Sequence, residues 1–302
     1  MSTTTETGAV CASCGDDKKK LKKCGACDLV RYCGVECQRN HRSEHKRVCK
    51  KRAAELKDEI LFKQPESTDL GDCPICLLPI PIDNSPDRVS HAFATYRCCS
   101  KIVCNGCSHA NLLRAEEAGL ERTCPFCRHP RHKTEAEENL LKMKRVEAND
   151  PVALDEEGAC HFNTGDHSTA IHYLEKAAGL GHIQSHYHLS CIYEEGTKKY
   201  MYHLEQAAIG GHPIARHNLG LFELEEKRNI YRAKKHWIIA AKLGCDLSIE
   251  KLKILYEHAK ELGVVSKEEF AKALRAHYDA VEATKSPQRD AAEAARKAGR
   301  YW

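Results

Sequence analysis

Aromatic residues are scarce in this 302-residue chain, at 6%, and only two of them are tryptophan. With charged residues at 30%, the ordered parts are expected to be helical, or held by something other than burial of large side chains. Long apolar runs are missing too. No stretch approaches the ~18 apolar residues of a membrane span, so no membrane partner is expected. The opening residues 1–10 are polar and expected to be disordered. They lack the basic start and apolar core of a secretory leader, which argues against an oxidising compartment and for a cytoplasmic or nuclear one. Cysteine nearly vanishes after Cys127, where only Cys160, Cys191 and Cys245 remain.

What is present is therefore lopsided. The other cysteines of the total of 18 are packed between Cys11 and Cys127, many as C-x-x-C pairs. Paired thiols at that spacing converge on one metal ion, whereas a disulfide framework needs oxidation that nothing else in the sequence suggests. Zinc is the expected ion, four per chain. Thiolates around four Zn²⁺ would carry the formal charge from +4 to about −3. Residues 18–52 are strongly basic, and part of that excess balances thiolate charge. Nucleic acid is the less favoured partner for it.

The chain falls into segments. A first cysteine block spans 11–49 and runs into a short amphipathic helix, 50–64, carrying Ala53, Leu56, Ile60 and Leu61. After a turn-rich stretch comes a second block at 73–128, then a charged linker, 129–149. Asp150-Pro151 reads as a helix N-cap followed by proline at the first helical position. From 152 to 262 the sequence repeats. Leu174-Glu-Lys-Ala-Ala178 returns as Leu204-Glu-Gln-Ala-Ala208 and as Trp237-Ile-Ile-Ala-Ala241. Gly181, Gly211 and Gly244 each follow three residues later, suited to closing a helix in the left-handed conformation. Small residues (Ser185, Ala215, Ser248) and leucines (Leu189, Leu219, Leu252) recur in register, with offsets of about 30 and 33 residues that fit helix–turn–helix units. Lys176-Ala-Ala-x-x-Gly181-His182 and Gln206-Ala-Ala-x-x-Gly211-His212 resemble the seam of Sel1-like repeats. That resemblance implies a protein-binding scaffold. Ser266 and Glu269 form a capping box that opens C-terminal helices over 266–302, and Ser286-Pro287 starts the last of them. The expected fold class is thus small zinc-stabilised α+β modules followed by an all-α helical-repeat (Sel1/TPR-like solenoid) domain.

The first block offers eight ligands, enough for two tetrahedral sites: Cys11, Cys14, Cys24, Cys27, Cys33, Cys37, His45 and Cys49. Cys33 and Cys37, and again His45 and Cys49, have the four-residue spacing of one helical face. His41 is also four residues from Cys37 and is the alternative to His45. A module of this size cannot bury enough apolar surface alone, so metal must supply folding free energy. With Arg31-Tyr32-Cys33 and Glu36-Cys37-Gln38, the block resembles the MYND zinc finger. The resemblance implies interleaved sites, Cys11, Cys14, Cys33 and Cys37 on one ion and Cys24, Cys27, His45 and Cys49 on the other. It also implies binding of short proline-containing peptides, although Arg42 stands where the family commonly has tryptophan.

The second block has eight cysteines: Cys73-Pro-Ile-Cys76, Cys98-Cys99, Cys104-x-x-Cys107 and Cys124-Pro-Phe-Cys127. It resembles a RING finger in an all-cysteine variant, because Lys101 stands where a histidine is usual. His91 is the alternative ligand. The resemblance implies Cys73, Cys76, Cys104 and Cys107 on one ion and Cys98, Cys99, Cys124 and Cys127 on the second. It further implies a ubiquitin-conjugating enzyme as partner, contacted by Ile75, Pro125 and Arg128, with catalysis by positioning alone. Asn111 departs from the family's bulky apolar position. The alternative is a non-enzymatic scaffold using the MYND finger and the repeats. No catalytic residues are assigned, since four-ligand zinc sites leave no place for water, and the histidines His167, His172, His182, His186 and His188 are given no site.

Overall fold

The computed structural model describes residues 10–17, 20–82, 92–131, 134–258 and 263–299, and these divide into two compact units at Lys63–Gln64. The first unit has little regular structure until its end. A two-residue strand β1 (Lys22–Lys23) pairs antiparallel with β2 (Arg31–Tyr32), and helices α1 (Val35–Asn40) and α2 (Arg42–Leu61) follow. The buried side chains among the cysteines are few, chiefly Cys11, Cys24, Cys27 and Tyr32. Helices α1 and α2 correct two expectations. The short helix expected over 50–64 is the second half of one 20-residue helix that already begins at Arg42. Cys33 lies before α1 rather than on a helical face shared with Cys37.

The second unit begins with the other cysteine block. Strands β3 (Phe93–Tyr96) and β4 (Lys101–Cys104) form an antiparallel pair that leads directly into α3 (Asn105–Glu117). Helix α4 (Glu135–Glu147) then occupies most of the stretch expected to be a charged linker. It obeys end rules that its high charge conceals. Thr134 accepts the Glu137 N–H, acidic residues fill the first turn, and Lys144 and Arg145 fill the last. Its inner face carries Val146 and Lys142, and Lys142 reaches Glu157 at 2.7 Å.

Eight helices continue the chain: α5 (Pro151–Asn163), α6 (His167–Gly179), α7 (Ile183–Ile192), α8 (Lys198–Ile209), α9 (Pro213–Glu225), α10 (Ile230–Lys242), α11 (Asp246–His258) and α12 (Lys267–Glu282). Each packs on its chain neighbour, and α10 also packs on α12. Asp150 caps α5 through the Val152 and Ala153 N–H groups, with Pro151 at the first turn.

The repeated residues explain the packing. Leu174, Leu204 and Trp237 are buried, as are the alanine pairs after them and Leu189, Leu219 and Leu252. Burial of each large side chain contributes about 1.5–3 kcal/mol. Ser185, Ala215 and Ser248 are fully enclosed where helices approach closely. Gly181, Gly211 and Gly244 all have φ near +90°. Each ends its helix with the same pair of bonds. In the first, Gly181 N–H donates to Ala178 C=O and His182 N–H to Ala177 C=O, and the pattern recurs at Gly211–His212 and Gly244–Cys245. Most of the longer second offset is taken up by α9, which has 13 residues where α7 has 10. Ser266 and Glu269 make the expected reciprocal cap on α12.

Helix α13 (Pro287–Lys297) does not extend this series. It returns to the second cysteine block and packs on α3. Gly106 on α3 permits the contact, since a Cβ there would lie 2.8 Å from Arg289 Cγ.

Candidate metal centres

Four of the five C-x-x-C pairs share one backbone device; the fifth, Cys104-x-x-Cys107, opens helix α3 instead. The residue directly after the second cysteine is left-handed: Gly15 (φ 75°), Asp28 (56°), Leu77 (57°) and Arg128 (64°). Its N–H donates to the carbonyl of the first cysteine, as Gly15 does to Cys11 at 2.9 Å, Leu77 to Cys73 at 2.9 Å and Arg128 to Cys124 at 3.0 Å. This tight turn aims both sulfurs to one side. Ser100, following Cys98-Cys99, is also left-handed and bonds the Tyr96 carbonyl, so the adjacent cysteines are seated by a related turn.

Four groups of donor atoms result, all donors in a group lying within 4.8 Å of one another. They are Cys11, Cys14, Cys33 and Cys37; Cys24, Cys27, His45 and Cys49; Cys73, Cys76, Cys104 and Cys107; and Cys98, Cys99, Cys124 and Cys127. A tetrahedral zinc with bonds near 2.3 Å to sulfur separates its sulfurs by ~3.8 Å. The separations here are close to that edge: Cys14–Cys33 3.6 Å, Cys24–Cys49 3.8 Å, Cys76–Cys104 3.8 Å and Cys99–Cys124 3.8 Å, with Cys33–Cys37 and Cys98–Cys127 tighter at 3.4 Å. The shorter Cys27 Sγ–His45 Nε2 distance of 3.2 Å suits a shorter zinc–nitrogen bond.

The electrostatics ask for a cation. Backbone N–H groups of Cys14 and Cys33 hold the Cys11 thiol down to about 6. Cys33, bonded to Cys37, Cys14 and Cys11, is pushed up to about 12. In the second group Cys24 is lowered to about 6: burial opposes ionisation there, and bonds from the Ala26 N–H and His45 outweigh it. Burial and the neighbouring thiols push its partner Cys49 up to about 11. Cys73 and Cys127 are lowered while Cys107 and Cys98 are raised, chiefly by burial. One thiolate per group thus raises the cost of the next, which a divalent ion reverses. Four Zn²⁺ fit these groups, and four protein ligands at each site leave no open position for chemistry.

His45 rather than His41 joins the second group. His41, the alternative ligand, is half-buried: its Nδ1 meets the Tyr32 hydroxyl at 3.1 Å, and its ring stacks on that of His45. It supports the ligand from outside the group. His91, the alternative ligand of the second block, lies outside the described residues. Lys101 sits at the exposed start of β4 with its ammonium over the Phe126 ring.

The residues expected to meet a conjugating enzyme divide. Ile75 is 41% exposed and Arg128 is exposed, but Pro125 is buried. That corrects its expected role, because a buried ring offers no surface; the neighbouring Phe126, 43% exposed, does. Asn111 bonds the Thr123 carbonyl at 2.9 Å and so ties α3 to the last C-x-x-C turn.

Arg289, 161 residues past the block's end at Arg128, was not legible as part of it. Its guanidinium donates to the carbonyls of Pro79 (2.6 Å) and Leu78 (3.2 Å) and approaches Cys76 Sγ at 3.5 Å. The histidines of the helical region join no metal group among the described residues. His182 and His188 instead surround the buried Asp155 with Ser185, whose hydroxyl donates to Asp155 Oδ1 at 2.7 Å.

Comparison with known proteins agrees with this geometry at the first block. The family described as MYND finger matches residues 11–49. Histone-lysine N-methyltransferase SMYD3 of Homo sapiens is 42% identical over 43 residues, which is 14% of this chain and 10% of that protein. The chain therefore spans about a tenth of that relative's length. No solved structure matches. Residues 11–49 thus match the MYND finger, ahead of a mostly helical region.

Proposed function

We propose that the chain is a zinc-held interaction protein whose second cysteine block serves ubiquitin transfer as a RING-type ligase module. The observation that carries this reading is the interleaving of that block's two donor groups. First and third cysteine pairs share one group, second and fourth the other. This crossing fixes the loops around Ile75 and Phe126–Arg128 as rigid, outward-facing features without a large core. A conjugating enzyme would contact Ile75, Phe126 and Arg128, whose planar guanidinium suits two acceptors at once. Catalysis would be positional. Helices α5–α11, read as Sel1-like repeats stacked into a solenoid, would recruit the substrate, and the MYND finger would add a second peptide contact. The reducing interior of cytoplasm or nucleus suits so many thiolate sites.

The test is ubiquitin-chain synthesis by the full-length, zinc-loaded protein with activating enzyme and a panel of conjugating enzymes. Activity abolished by Arg128→Ala at unchanged zinc content supports the reading. No product with any conjugating enzyme overturns it.

A second reading, a scaffold without ligase activity, is favoured by the buried Pro125 and by Asn111, whose bond to Thr123 occupies a face otherwise apolar in RING fingers. Partner capture that survives Ile75→Ala with Arg128→Ala, but not disruption of the helices at 152–262, would distinguish it.

A further inference from the structure

Strand β3 belongs to a two-stranded sheet, with β4 on one side and no described strand on the other. Its register decides which backbone groups remain open. Asn105 N–H donates to the Ala92 carbonyl at 3.0 Å, so residues 92, 94 and 96 turn their N–H and C=O toward β4. Phe93 and Thr95 turn theirs away. Among the described residues, neither finds a backbone partner on that side. An open edge of this kind is a template for one more strand.

Phe93 and Thr95 line a cleft of about 570 Å³, together with residues of α3, residues 122–124 and 129–131, and residues of α4, α5 and α13. Leu112 and Pro130 give it an apolar floor beside Phe93. Its charge is set by four arginines, Arg97, Arg122, Arg131 and Arg296, against Glu138 and Glu156. Arg97 is held by those two glutamates at 3.4 and 3.7 Å, Arg122 by Glu116 and Arg296 by Glu293. Arg131 has no ion-pair partner among the described residues. The cleft therefore offers a backbone edge, an apolar floor and, in Arg131, one guanidinium without an ion-pair partner among the described residues.

We propose that this cleft binds an extended, acidic segment of a partner protein. The segment would add to β3 as a third strand through the N–H and C=O groups of Phe93 and Thr95. Its alternate apolar side chains would meet Leu112 and Pro130, and a carboxylate would pair with Arg131. None of Ile75, Phe126 and Arg128 lines the cleft, so the proposal stands independently of ubiquitin transfer. A single-stranded RNA is the competing occupant for arginines, but it has no use for a β-edge.

The probe is a fluorescein-labelled peptide alternating valine with glutamate, titrated into full-length, zinc-loaded protein. Anisotropy should rise saturably, and hydrogen exchange should slow at the Phe93 and Thr95 amides. Arg131→Glu, an exposed position whose replacement should leave four zinc ions per chain, should weaken binding about tenfold or more, the scale of one lost charge-assisted pair. A valine–lysine peptide, and a valine–glutamate peptide N-methylated at alternate residues, should fail to bind. The proposal is overturned by absence of saturable binding, by binding that leaves both amides unprotected or ignores Arg131→Glu, or by an oligouridine that displaces the peptide and binds more tightly.

Discussion

The guanidinium of Arg289 lies 3.5 Å from the sulfur of Cys76, across 213 residues of sequence. A four-thiolate zinc site carries a net charge of −2, and an arginine beside it offsets part of that. The thiolates of Cys104 and Cys76 in turn favour the charged guanidinium against its burial. Zinc at the third donor group and the seating of α13 are therefore coupled in both directions.

Replacing Arg289 with methionine should lower zinc affinity at that group by about 10–100-fold, the usual scale for a lost outer-sphere partner. Arg289→Lys should recover part of it. Competition with a chromophoric chelator measures the change, and hydrogen exchange over 287–297 should quicken in parallel. Unchanged affinity with a loosened α13 would mean that the helix is held by packing on α3 alone.

Chelation of all zinc should unfold the two cysteine blocks while leaving most helix in place. The first block's buried residues are mainly its own ligands plus Tyr32, so nothing else holds it. Helices α5–α12 bury leucines, alanines and Trp237 against one another without metal. Far-ultraviolet circular dichroism should fall only modestly, and zinc released to an indicator dye should approach four per chain.

Gly220→Ala should destabilise the helical region by about 1–3 kcal/mol, the usual cost of overpacking. The added Cβ would lie 2.4 Å from Trp237 Nε1, and that N–H donates to the His217 carbonyl. Urea unfolding followed by Trp237 emission, in a Trp302→Phe background, reports it directly.

Acid should weaken the same region. Burial holds His217 and His203 down to about 4 and His236 to about 3. Between pH 6.5 and 4 the unfolded chain binds protons that the folded chain refuses, so stability falls as pH falls through that window. His188, raised by Asp155 despite its burial, works the other way: its contribution is complete below pH 6.5 and fades as pH rises through its elevated value. The depressed histidines outnumber it. His217→Asn, which keeps a hydrogen-bonding group near Ser248, should flatten the urea-midpoint profile between pH 6.5 and 4 by at most about 3 kcal/mol. An unaltered slope would show that His217 stays protonated when folded.

Much of this molecule is legible in sequence because metal ligands and helix ends carry short-range signatures. The spacing of the ligands between Cys11 and Cys49 suffices to nominate them, with the MYND resemblance supplying their division into two groups, and Gly181, Gly211 and Gly244 mark their helix ends by the one conformation glycine enters freely. Helix α4 escaped because Lys142 and its neighbours disguise a packed face as a charged linker. Arg289 escaped for a different reason. Nothing in Ser286-Pro287-Gln288-Arg289 refers to Cys76, and a contact over such a distance is set by how the chain returns. Pro125 shows the converse limit, since position within a C-x-x-C turn does not tell which side chain faces inward.

The same turn after four of the C-x-x-C pairs ends in glycine, aspartate, leucine or arginine, at positions 15, 28, 77 and 128, all exposed. Sulfur geometry is indifferent to that choice as long as the residue tolerates a positive φ. Each zinc-bound corner is thereby a fixed mount whose outward chemistry is free to diverge, so recognition at these four corners can be altered by single substitutions without disturbing the metal beneath.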